Sequence, residues 1–119
     1  MKKRSLFLIG VVVPMFLFAD DAKLKPITLN GTVVDTGCYF VHDGIGSNHE
    51  ECARECAKKG IALAILDDSG KLYLPLGVDH TNPNTQLMPF IEKKVNVTGT
   101  AVDRGGMSGI AIRTIEIAK

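Results

Sequence analysis

The sequence predicts a mainly β domain with helical insertions, an α+β fold, and three observations carry that expectation. Five stretches place apolar residues at the period of two that a half-buried strand requires. One stretch, Asn48 to Gly60, has the composition and end signals of a helix, and Asn84 to Ile91 has room for one or two helical turns. Between these stretches lie short clusters of Gly, Asp, Asn and Ser, the residues that turn a chain.

The chain opens with Lys2, Lys3 and Arg4, then runs apolar from Leu6 to Phe18 apart from Gly10 and Pro14. Small Ala19 follows and meets the acidic pair Asp20-Asp21. That is the pattern of a secretory signal cut after Ala19. The apolar run, about 13 residues, is short of the roughly 20 a spanning helix needs. An uncleaved N-terminal anchor is the alternative. The expectation is a signal peptide over 1–19, a single domain over 20–119, a periplasmic or secreted location, and no membrane span after cleavage.

Charge narrows the partners. Losing the three basic residues of the leader takes 14 Lys and Arg to 11 against 13 Asp and Glu, a mature charge near −2. A nucleic-acid surface needs clustered positive charge instead. With no tryptophan and two tyrosines, the chain also has little to build a base-stacking platform.

Ile27–Val34 reads as the first strand, and Gly31 within it marks a bulge or sharp bend. Ile61–Leu66 and Lys71–Leu76 flank Asp67-Asp68-Ser69-Gly70 and form a β-hairpin. Gly77–Thr85 is a polar loop covering one end of the domain. In Asn84–Ile91 the residues Leu87, Met88 and Phe90 face inward. Val95–Val102 and Ile110–Ile117 are strands joined by a glycine-rich turn, and the shifted alternation between Ile112 and Ile115 predicts a bulge. Apart from the cysteine-bearing helix, this is the element order of a five-stranded Greek-key barrel of OB type, with a short helix between strands three and four. Asp35–Gly60 is then an insertion between strands one and two. An α+β sandwich of the same elements stays open.

That insertion holds all three cysteines and two of the three histidines, spaced C-x10-H-x2-C-x3-C. Export exposes the thiols to an oxidising compartment, and an odd count leaves one without a disulfide partner. Metal ligation is a reason to keep it. Ser47 and Glu50 have capping-box spacing for a helix starting near Asn48, which Lys58, Lys59 and Gly60 suit at the other end. At 100° per residue, Cys52 and Cys56 fall about 300° and 340° from His49, so the three share a face within ~60°. Cys38, reaching across from the end of strand one, completes a Cys3His set of Cys38, His49, Cys52 and Cys56. Such a set suits zinc. Two or three of its thiolates also suit copper(I), with His49 left out.

The alternatives keep the cysteines and drop the metal. Cys38 bonded to Cys52 or Cys56 would staple the insertion to the barrel, giving an OB-like interaction module with a periplasmic protein partner. Cys52 with Cys56 would make a thiol-redox pair. His42 and His80 fall in loops and read as exposed, while Asp35 is the nearest acid to orient a histidine. Met88 and Met107 read as core packing and turn residues. The chain has no C-x-x-C, no C-x-x-C-H, no P-loop and no G-x-G-x-x-G, so no catalytic residue is assigned.

Three motifs recur together: G-x-V-V-D-x-x-C-Y at Gly31–Tyr39, H-x-x-C-A-x-x-C-A-x-x-G at His49–Gly60, and D-x-G-x-L-Y at Asp68–Tyr73. In them the chain resembles a group of small exported bacterial OB-fold-like proteins. The resemblance implies an OB-like barrel and export, and brings no established activity with it.

Overall fold

The computed structural model describes residues 24–119; the expected signal segment lies outside the described residues. Five strands close into a barrel in the order β1-β2-β3-β5-β4. They are β1 (Lys25–Asp35), β2 (Leu63–Asp67), β3 (Leu72–Pro75), β4 (Lys94–Arg104) and β5 (Met107–Ile117). All neighbours are antiparallel except β3 and β5, which run parallel where the barrel closes. This is the OB-like arrangement, and the sandwich is ruled out.

Within β1 the partner changes along the strand's length. Lys25 to Thr32 pair with β4 and Gly31 to Asp35 pair with β2, so Gly31 and Thr32 sit where the two ladders overlap. A Cβ at Gly31 would lie 2.5 Å from the Leu66 carbonyl oxygen and 2.9 Å from the Ile65 side chain. The glycine is thus required by close approach of β2, and no register shift marks a bulge there. The bulge expected in β5 is present: Thr98 pairs with Thr114 and Gly99 with Ile112, leaving Arg113 as the extra residue.

The core joins alternate residues of β1, β2 and β4 (Leu29, Val33, Leu63, Ile65, Val95, Val97) to Ile110, Leu87 and Ile91. Leu87 belongs to α3 (Asn84–Leu87), and a 3₁₀ turn over Met88–Phe90 leads to Ile91. Leu87 and Ile91 are fully buried and plug one end of the barrel, while Met88 and Phe90 pack against that core.

The insertion contains two helices where one is expected. α1 (Thr36–His42) follows β1 directly, and α2 (Glu50–Lys58) follows a 3₁₀ turn at Ser47–His49. The end of β1 is therefore buried on both faces: Val33 and Asp35 are wholly buried, and so is Val34. α2 enters the core through Ala53 and Ala57 and ends at Lys58, with Gly60 (φ 95°) donating its N–H to the Ala57 carbonyl. Positive φ is what glycine tolerates and other residues rarely do.

Asn84 ties this insertion to the barrel. Its Oδ1 accepts the Leu63 N–H at 2.9 Å, and its Nδ2 donates to the Ile61 carbonyl at 2.7 Å, both across more than 20 residues. Replacing Asn84 with alanine would leave buried backbone groups at the α2–β2 junction without partners. The expected loss is about 2 kcal/mol by denaturant titration.

Candidate metal centre

The site forms where β1 hands over to α1. Asp35 is the N-cap of α1 and its Oδ1 accepts the Cys38 N–H at 2.9 Å. That bond turns the chain into a helix just past the end of strand one, from which Cys38 was expected to reach across. Asp43, at φ 51°, ends α1 by donating its N–H back to the Cys38 and Tyr39 carbonyls. Cys38 is consequently a helical residue, half-buried and turned toward α2.

On α2, Cys52 and Cys56 stand one turn apart, the first exposed and the second half-buried. The sulfurs of Cys38 and Cys52 are 3.6 Å apart. All three sulfurs, Cys38, Cys52 and Cys56, lie within 4.8 Å of one another, and all three cysteines are free. An ion with bonds of about 2.3 Å holds sulfurs about 4 Å apart, so the Cys38–Cys52 separation already suits one and small side-chain rotations bring in the third sulfur. Among the described residues this is the only group of three or more such donors.

His49 is not in that group. The reason is local: Ser47 to His49 form a 3₁₀ turn, so the 100° spacing that aligns His49 with Cys52 and Cys56 does not start until Glu50. Ser47 does not cap α2 either, since the helix starts after His49 with no side-chain cap. Instead Glu92 takes the Gly46 N–H with Oε2 at 2.7 Å, and the charge of His49 acts on the Glu92 carboxyl. Glu92 reaches the site from 43 residues beyond His49, with a positive φ of 58° as its mark in the fold. No neighbouring motif announces it in the sequence. His42 ends α1 and is exposed, as is His80 in its loop.

Hydrogen bonding and burial raise two of the thiols, Cys38 and Cys56. The Cys38 thiol is pushed up to about 11, first by its hydrogen bond with Cys52, then by burial and the nearby charge of Asp35. Burial leads the upward shift of Cys56, followed by the Asp35 carboxyl beside it. Burial likewise raises Glu92. Among the described residues, two buried side-chain oxygens have no hydrogen-bond partner: Asp35 Oδ2 and Glu92 Oε1. Both belong to this end of the barrel.

The far side of α1 borders a different feature. Thr36, Phe40, Val41, Ile61, Leu72 and Met107 line an open apolar groove of about 670 Å³, and Phe40 and Val41 are both more than two-thirds exposed. Lys71 on its rim is engaged by Asp103 at 3.0 Å. Among the described residues no helix is long and apolar enough to cross a membrane. Comparison with protein-family models, curated proteins and solved structures finds no match for the chain, so the chemistry of the three thiols carries the functional argument.

Proposed function

We propose that this is an exported metal-binding protein whose ion is held by the thiolates of Cys38, Cys52 and Cys56. The supporting observation is the convergence of three sulfurs from two helices to within 4.8 Å of one another. Two of them sit on one helix face by spacing alone, but Cys38 comes from a separate helix that Asp35 must cap into place. A soft, three-sulfur set suits zinc or copper(I). Zinc takes a fourth donor and copper(I) is satisfied with three.

The test is metal content and thiol count on one preparation, made under reducing conditions. About one equivalent of zinc or copper(I) per chain is expected, as for a single mononuclear site, with three thiols alkylated after the metal is removed. Protein that carries no metal and binds neither ion when titrated overturns the proposal.

The thiol pKa values add a pH dependence. A protonated thiol must give up its proton to bind, so metal competes with protons below the thiol pKa. Because Cys38 titrates at about 11, apparent affinity should climb as pH rises through neutrality and keep climbing toward that value. Titrations between pH 6 and pH 9 check it; a flat profile contradicts three-thiol ligation.

A second reading rests on the 3.6 Å separation of the Cys38 and Cys52 sulfurs. With metal absent, a thiol oxidant would join that pair and staple α1 to α2, leaving Cys56 free. Intact mass after alkylation separates the two: one modified thiol on the exported protein supports the disulfide, three support the metal site.

A further inference from the structure

Among the described residues Asp35 is the one charged residue that is wholly buried, and one oxygen of its carboxyl lacks a hydrogen-bond partner. Oδ1 is used to cap α1, whereas Oδ2 is solvent-inaccessible and unbonded. An oxygen in that state costs stability unless something satisfies it. The alternation of β1 puts Asp35 on the same side of the strand as core residue Val33, at the end of the barrel where Ile91 pairs with Val33. Its surroundings are the thiols: the carboxyl raises Cys56 through its closeness to the thiol hydrogen and then by its charge, and the same charge raises Cys38, whereas no N–H or O–H donor reaches Oδ2. Capping alone does not demand a carboxylate, because asparagine and serine cap helices as well as aspartate does.

We infer that Asp35 shifts the preference of this three-thiol site away from copper(I) and toward a divalent cation of the zinc class. The inference rests on the metal-binding reading above and concerns which ion that site favours. The physical reason is charge. Interaction of a fixed negative group with a cation scales with the cation's charge, and burial keeps solvent from screening it. Three thiolates over-neutralise either ion, copper(I) more than zinc(II), so a fourth negative group adjacent to them is better tolerated beside the dication. A carboxylate oxygen is also a donor that zinc accepts and that copper(I) does not favour. His49 is the competing fourth donor, but it is absent from the sulfur group and its neighbour is Glu92.

The experiment titrates zinc(II) and copper(I), each with a competing chelator of known affinity, into reduced wild type, Asp35→Asn and His49→Ala. Asparagine keeps an oxygen to accept the Cys38 N–H, so α1 is retained and the charge alone is removed. Zinc affinity is expected to fall about 100-fold in Asp35→Asn and copper(I) affinity about 10-fold, so the zinc-to-copper ratio falls roughly 10-fold. Loss of a merely structural residue would weaken both metals alike and leave the ratio in place. Cobalt(II) bound in place of zinc gives a second readout, since its visible spectrum shifts when a carboxylate is lost from its surroundings. Should Asp35→Asn not fold, Asp35→Ser keeps a capping oxygen without the charge and is measured the same way. An unchanged ratio in the variant that folds overturns the inference, as does a ratio that moves in His49→Ala and not at Asp35. Wild type that binds neither metal overturns the metal-binding reading itself, and the inference with it.

Discussion

Replacing Cys38 with serine is expected to lower metal affinity by more than 100-fold while leaving the fold intact. Removing residues that only orient a ligand costs about 10- to 100-fold, and removing a ligand costs more. Cys38 is the site's only contribution from α1, so Cys52 and Cys56 alone are left as a two-sulfur clamp on α2. The fold is spared because the Cys38 side chain is half-buried and outside the core cluster; what α1 needs from this residue is its N–H to Asp35. Competitive metal titration gives the first quantity and thermal unfolding of the metal-stripped protein gives the second. Cys52→Ser should behave similarly, since Cys52 is exposed and also in contact with Cys38. If Cys38→Ser binds as tightly as wild type, the two helices do not share an ion.

The largest expected effect on stability comes from Gly31→Val. A Cβ there would lie 2.5 Å from the Leu66 oxygen and 3.0 Å from its carbonyl carbon, both backbone atoms of β2. The strand cannot yield, because Gly31 is paired to Asp67 on one side and to Val95 on the other. Overpacking a core typically costs 1–3 kcal/mol, and a branched side chain against backbone in a doubly paired strand should cost at least about 3 kcal/mol. For a domain of this size that lowers the melting temperature by more than about 10 °C. Gly109→Ala is the control. The atoms nearest its Cβ would all belong to the side chain of Leu76, which is partly exposed and flexible. That variant should unfold within a few degrees of wild type, about 0.5 kcal/mol. Equal losses at the two positions would show that the overlap of the β1 ladders is not what demands a glycine.

Much of the barrel was legible because strands announce themselves locally. The alternation around Ile110, Ile112, Ile115 and Ile117 carries the bulge at Arg113 in plain view, since one extra residue must shift the period. Asp67-Asp68-Ser69-Gly70 marks the hairpin by turn chemistry, with Asp67 Oδ1 accepting the Ser69 and Lys71 N–H groups. Gly60 marks the end of α2 by its backbone freedom. The missed element is α1. Asp35-Thr36-Gly37 looks like the end of a strand, and a capping aspartate is legible only once something stops β1 from continuing. What stops it is tertiary: Asp35 is the last residue paired with β2, opposite Leu63, and the Thr36 N–H is taken by Ala62.

By itself the sequence determined the barrel's order of elements, the one-turn pairing of Cys52 with Cys56, and the confinement of all the thiols to one insertion. Each of these depends on residues within a few positions of one another. Only the tertiary structure decided the rest: that Cys38 meets the other two sulfurs, that His49 stays outside their group, and that Asp35 is buried with an unbonded oxygen beside them. Those outcomes depend on where two helices are laid against the end of a closed sheet. Contacts from Asn84, Glu92 and Met88, all far along the chain, set that placement. A pattern of residues can propose ligands, but burial and the pairing of distant segments select among them.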